Sequence, residues 1–201
     1  MAKHAPINLS SLSAFEAESE ELNVLIETPK GSRNKFKYDE SRGLFKLSGL
    51  LPVGAVFPFD FGFIPSTLGG DGDPLDVLIL MDEPAFPGCL IPARLIGVIE
   101  ADQTEDGETK RNDRLIAVAV DSRTHKEIQT LEDLNENLVN EIEHFFVSYN
   151  EAKGKQFKPL GRFGPKRAKK VVEEGIKTSI KKKRGRSGVG RSKKRKDKPN
   201  A

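Results

Sequence analysis

The chain of 201 residues, 36% of them hydrophobic, is long enough for one sizeable core and short for two. Its single cysteine, Cys89, excludes an internal disulfide framework, and no apolar run approaches the length of a membrane span. The net charge of +3 is uneven: residues 181–201 hold 11 Lys/Arg and one Asp, a net of +10, so residues 1–180 carry −7, a body too acidic to grip nucleic acid over its whole surface.

In chain order, residues 1–20 are polar and Ser/Glu-rich and read as a loose lead-in, with no signal-like apolar stretch; together with the lone cysteine this points to a reducing cytoplasm and no membrane. Leu22–Glu27 reads as a strand, ended by Pro29 and Gly31. Lys35–Asp39 alternates polar and aromatic residues, Ser41-Arg42-Gly43 turns, and Leu44–Leu47 returns, which predicts a hairpin. Val56–Ile64 predicts a strand whose four phenylalanines, Phe57, Phe59, Phe61 and Phe63, share one face; that face is either core or a stacking platform for bases. Further strands are expected at Leu75–Leu80, at Leu90–Glu100 with an interruption at Pro92, and at Arg114–Val120, with a hairpin turn at Asp106-Gly107.

The period then changes. Leu131, Leu134, Leu138, Ile142, Phe145 and Tyr149 recur at helical spacing behind Thr130 as N-cap. A second helix opens at Pro165 and runs through Ala168, Val172, Ile176 and Ile180. Beyond Lys181 almost nothing is apolar, and the tail is expected to lack fixed structure on its own. The expected fold is α+β and mainly β: a small closed barrel, which removes sheet edges, with helices toward the C-terminus. Its units are a lead-in at 1–20, a folded body at 21–180 and a basic tail at 181–201. The tail has three readings: contact with RNA or another polyanion, a solubilising extension, or assembly contacts.

The chemistry concentrates in Asp71-Gly72-Asp73-Pro74-Leu75-Asp76, three aspartates within six residues, followed by Val77-Leu78-Ile79-Leu80. Carboxylates at that density repel one another unless a cation sits between them. Hard oxygen ligands suit Mg²⁺, or Mn²⁺ as a substitute, rather than zinc. A calcium loop is excluded, because Leu75 and Asp76 stand at its fifth and sixth positions instead of Asp/Asn and Gly. No phosphate-binding G-x-x-x-x-G-K-[ST] loop occurs.

The run D-G-D-P-L-D-V at 71–77 resembles the signature of soluble (family I) inorganic pyrophosphatases. The resemblance spans about Leu22 to Gly161 and includes the strand ending in Glu27, the Phe-Pro-x-x-x-Gly-Phe-Ile run, Gly97-Val98-Ile99 and His144-Phe145-Phe146. It implies a five-stranded OB-like barrel with flanking helices that hydrolyses pyrophosphate to two phosphates with several Mg²⁺ ions, as a homo-oligomer. By the same resemblance Asp73 activates the attacking water, and Asp71, Asp76, Asp73 and Glu27 bind metal. Lys35, Tyr149 and Lys155 contact phosphate, and Arg114 stands in place of a lysine. A further metal carboxylate falls on Glu105 or Asp106, and another on Asn112 or, with a one-residue slip, on Asp113.

The chain also departs from the family. Gly49 stands where better-known members have a phosphate-binding arginine. Phe57 and Phe61 replace tyrosines, Lys37 replaces a glutamate, and Asn150 replaces a lysine. Two alternatives therefore accompany the enzyme: a pyrophosphatase-like protein with weakened catalysis, and an OB-like module that binds single-stranded nucleic acid with the help of its tail.

Overall fold

A computed structural model describes residues 8–192, with side chains through Gly185. Strand β1 (Leu22–Thr28) is the seam of a closed ring. It pairs antiparallel with β4 (Asp60–Phe63) on one side and with the start of β6 (Leu90–Glu105) on the other, Leu22 opposite Ala93 and Leu25 opposite Leu90. The ring continues from β4 to β5 (Asp76–Leu80), to β8 (Arg114–Ala119) and back to β6. Five strands thus close on themselves as expected, with one parallel contact, β5 on β8. The outer half of β6 also carries β7 (Glu108–Arg111) and β9 (Gln156–Phe163). A separate hairpin, β2 (Asn34–Asp39) with β3 (Leu44–Leu50), lies outside the ring.

Strands β5 and β8 are apolar at nearly every position because both their faces are covered. Leu78, Leu80, Ile116 and Val118 face Ile142 and Phe146 of helix α1 (Glu136–Glu151), while Val77, Ile79, Leu115 and Ala117 share a cluster with Ala168 and Val172 of helix α2 (Pro165–Ser192). The period-2 alternation of the strands therefore assigns one helix to each face. Among the described residues no helix is long and apolar enough to cross a membrane.

Several elements differ from expectation. The phenylalanine strand shrinks to Asp60–Phe63; Phe57 and Phe59 lie on irregular chain before it, and Phe63 joins a different cluster, with Leu25 and Tyr38. Pro92 does not interrupt β6: it needs no donor there, and its carbonyl accepts from Val120 N at 3.0 Å. The first predicted helix splits. Thr130 and Asp133 form a reciprocal cap on a short 3₁₀ turn, Leu131–Asp133, and Leu134 is extended. Asn135 then caps α1 proper, accepting from Asn137 N at 2.9 Å. Residues 8–20 are less loose than expected: Ala14 is buried, and its carbonyl accepts from Asn23 N at 2.9 Å. The Asp106-Gly107 turn is as predicted, with both residues at positive φ, 51° and 79°.

Helix α2 continues to Ser192, 11 residues past Lys181, where the sequence reading ends it. Lysine and arginine are good helix formers, and no proline occurs between Pro165 and Pro199. The rest of the tail, 193–201, lies outside the described residues. A helix of 28 residues is about 42 Å long. Its position is fixed at Gly175: a β-carbon there would stand 2.7 Å from Leu75 Cδ1, and Gly175 O accepts from Leu68 N at 3.1 Å. The helix is thereby packed onto the loop that carries the aspartates.

Candidate active site

A cavity of about 570 Å³ opens between the end of β1, the 66–74 loop, the β2–β3 hairpin, the C-terminal turn of α1 and the middle of α2. Glu27, Asp71, Asp73 and Asp76 line it, with Asn112 and Gln103 beside them. Lys35, Lys37, Arg114, Tyr149, Lys153 and Lys155 also line it, and α2 adds Ser179, Lys182 and Lys183.

The acidic side is built on the ring. Glu27, near the end of β1, is 6% exposed and accepts from Tyr38 N at 2.7 Å. Burial pushes its carboxyl up to about 7, against the pull of the Tyr38 N–H and Lys35 and with the repulsion of Asp76. Asp71 accepts from Asp73 N at 3.1 Å, which turns the loop on itself; burial, then the charge of Asp76, raises its carboxyl too. Asp76 opens β5, and its Oδ2 lies 2.8 Å from Arg114 Nη1. Asp73 is exposed, and its Oδ2 lies 2.6 Å from Lys37 Nζ. Lys37 is raised: burial opposes its charge, but the hydrogen bond and charge of Asp73 outweigh it.

Arg114 is the most enclosed cation of the site, 4% exposed, with its guanidinium 5.0 Å from the Phe146 ring centre and 5.2 Å from that of Phe157. Its Nη1 also donates to the Asn112 side chain and to Asp113 O, while its Nε is buried with no partner in the protein. Lys35 Nζ lies over the rings of Phe61 and Tyr149, at 4.9 and 5.4 Å. Tyr149 packs against Phe145 and Phe57, and its hydroxyl accepts from Lys153 Nζ at 2.5 Å.

Two predicted residues stand elsewhere. Asp113 does not line the cavity: its carboxylate accepts from Ala101 N at 3.0 Å and pairs with Arg111 Nε at 2.5 Å, and burial raises it. Asp113 borders a small recess shared with Asp71 and Asp76, while Asn112 stands at the main cavity, donating to Gln103 Oε1 at 3.0 Å. Glu105 lies in an adjoining recess that also touches Asp71, Asp73, Asp106 and Lys155, and it pairs with Lys155 Nζ at 2.7 Å. The base-stacking alternative is also overturned. Phe57, Phe59, Phe61 and Phe63 are all at most 8% exposed and have no free face to offer.

Sequence reasoning passed over Lys153, Lys182 and Lys183. Only the Tyr149–Lys153 spacing carried a signal, because residues four apart share a helix face. Lys37 was noted as a departure, but nothing in the sequence pointed to its ion pair with Asp73.

Among the described residues no three carboxylates, histidines or cysteines converge closely enough to hold an ion as they stand; Asp73 pairs with Lys37 and Asp76 with Arg114. The donor set nevertheless suits a hard divalent cation. It is all oxygen, and the crowded, desolvated Glu27 and Asp71 have no salt bridge of their own among the described residues. Such a site can hold cations against a polyanion and place basic side chains opposite them.

A family model described as inorganic pyrophosphatase matches residues 24–179. The chain is 37% identical over 159 residues to the inorganic pyrophosphatase of Geobacillus stearothermophilus, covering 79% of this chain and 94% of that one. It is 40% identical over 155 residues to that of Leifsonia xyli, covering 77% and 93%. The crystal structure of inorganic pyrophosphatase from Thermus thermophilus superposes with a TM-score of 0.79 at 35% identity, over 87% of this chain and 99% of that one.

Proposed function

The chain belongs to the inorganic pyrophosphatase family, metal-dependent enzymes that hydrolyse inorganic pyrophosphate, and on that premise we propose how its own residues carry the reaction. Asp73 accepts the proton of the attacking water. The water oxygen forms a bond to one phosphorus, the bridging P–O bond breaks, and the second phosphate leaves with that electron pair. Asp71, Asp76 and Glu27, with Asp73, would hold Mg²⁺, or Mn²⁺ in its place, and Glu105 would join them from its adjoining recess. When bound, such ions lower the pKa of water and neutralise phosphate charge. Lys35, Arg114 and Tyr149 face the phosphates and stabilise the charge that grows on the leaving group. Lys155 holds Glu105 in place.

The observation that carries this reading is one cavity lined by five carboxylates, Glu27, Glu40, Asp71, Asp73 and Asp76, together with Lys35, Arg114 and Tyr149. Phosphate release from pyrophosphate with Mg²⁺ tests it. Asp73→Asn should lower kcat by about 10²–10⁴; equal rates in the two proteins would reject the role of Asp73. The Lys37–Asp73 pair at 2.6 Å supports a second reading, a slower member of the family in which a lysine competes with metal for the catalytic carboxylate. A turnover of hundreds per second would remove it.

The family likeness supports a homo-oligomer, which sedimentation at monomer mass alone would refute. The free Cys89 supports a reducing, cytoplasmic setting, and recovery of the protein from an oxidising compartment would refute that. Tail contact with a polyanion stays secondary, because Lys182 and Lys183 line the catalytic cavity itself.

A further inference from the structure

The lysines around the cavity are not equivalent. Lys37 is taken by Asp73 at 2.6 Å and Lys155 by Glu105 at 2.7 Å. Lys35 and Lys153 have no carboxylate partner among the described residues, and both lie against one side chain. Lys35 Nζ is 5.4 Å from the Tyr149 ring centre; Lys153 Nζ is 4.4 Å from it and 2.5 Å from Tyr149 Oη. Two ammonium groups flanking one phenol, neither in a salt bridge among the described residues, repel each other, and an anion between them relieves that repulsion.

The Lys153 ammonium lies beside Gly49, where a longer side chain would run. This glycine sits opposite Lys35 in the β2–β3 ladder, and a β-carbon built on it would lie 3.6 Å from Lys153 Nζ. The missing side chain leaves a space beside Lys35, and the Lys153 ammonium reaches it from the turn after α1. Asn150, the neighbour of Tyr149, cannot do the same. It is 2% exposed, and its Nδ2 donates to Phe146 O at 2.8 Å.

We infer that Lys153 is a substrate-binding residue of this enzyme: with Lys35 and the Tyr149 hydroxyl it holds a phosphoryl group of pyrophosphate in the space left by Gly49, opposite the aspartates. The inference rests on the pyrophosphatase reading and adds a residue to its grip on substrate.

Calorimetric binding of imidodiphosphate, a non-hydrolysable analogue, in the presence of Mg²⁺ tests it, alongside KM and kcat for pyrophosphate. Lys153 is exposed, so its variants should fold. Lys153→Ala should bind imidodiphosphate about 10–100-fold more weakly, the loss expected for a charge-assisted hydrogen bond, and raise KM in step. Lys153→Arg should keep most of the affinity. Gly49 has no positive φ, so Gly49→Arg brings no backbone strain; added to Lys153→Ala, it should restore binding by returning a cation to the same space. The loss from Lys153→Ala should persist in a Tyr149→Phe background. Unchanged affinity in Lys153→Ala would overturn the inference. So would a loss that vanishes in Tyr149→Phe, because Lys153 would then only orient the tyrosine. If the unmodified chain ignored imidodiphosphate, the pyrophosphatase reading would fall first, and the inference with it.

Discussion

The two sides of the cavity stand on different foundations. Glu27 and Asp76 belong to ring strands, and Asp71 and Asp73 to a loop clamped between β5 and Gly175 of α2. The lysines come from elements attached to the ring from outside: the β2–β3 hairpin, the turn after α1 and the middle of α2. Moving a carboxylate means moving a strand that closes the barrel, whereas a cation can be exchanged between peripheral elements without touching the core. The departures from the family that the resemblance implies follow this division only in part: carboxylates remain at 27, 71, 73 and 76 and cations are missing at Gly49 and Asn150, but Asn112 stands at a metal carboxylate and Lys37 at a glutamate.

Arg114 is the exception, a cation rooted in the ring, and its removal should have the largest effect. Arg114→Ala breaks a buried pair with Asp76 and opens a gap over Phe146 and Phe157. It should lower stability by about 3 kcal/mol in denaturant unfolding and kcat by about 10²–10³. If Arg114→Ala behaved like a peripheral lysine variant, with KM alone affected, the division would fail. Next, Lys37→Glu should free Asp73 and lower the half-saturating Mg²⁺ concentration about two- to fivefold by calorimetry, the range of an exposed ion pair. No change would mean that Lys37 does not compete with the ion.

Truncation after Lys181 removes Lys182 and Lys183 from the rim. It should leave kcat alone and lower kcat/KM a few-fold at low ionic strength, with the difference gone near 1 M salt, where charges are felt over only about 3 Å. A fall in kcat would place α2 on the catalytic side. The smallest effect belongs to Asp82, far from either side. Its carboxylate accepts from the Thr124 hydroxyl, the Arg123 and Thr124 N–H groups and Ser122 Oγ, which together hold it well below the usual carboxylate range. A depressed carboxyl stabilises the fold above its unfolded pKa, near 3.9, and that contribution is lost as pH falls through the lower folded value. Asp82→Asn should therefore lower Tm slightly at pH 7, converge with the unmodified chain in strong acid, and leave turnover unchanged.

The ring was legible because its physics is local. The apolar runs at 77–80 and 115–119 are uninterrupted and hold Val77, Ile79, Ile116 and Val118, and the Asp106-Gly107 pair admits few other turns. The aspartate cluster was legible for the same reason, since its crowding is written in consecutive residues. What escaped was competition between side chains for one backbone or charge partner, and contacts between distant parts of the chain. The capping side chains of Asp133 and Asn135 outweighed a leucine periodicity that runs straight across Leu134. Nothing near Asp113 says that Arg111 and Ala101 N will claim its carboxylate. The Lys153 ammonium lies beside a glycine 104 positions earlier.

The ring closes where residues 22–25 meet residues 90–93. In sequence the β2–β3 hairpin and two ring strands, β4 and β5, lie between these segments, so a long loop must close before the seam can repay its ordering entropy. Such a topology favours refolding over milliseconds to seconds rather than microseconds. Glu27 lies just beyond that seam, so a chain still open at β1 would lack one carboxylate of the proposed metal site. Catalytic competence should then emerge with the final closure, and activity regained during refolding would serve as a clock for it.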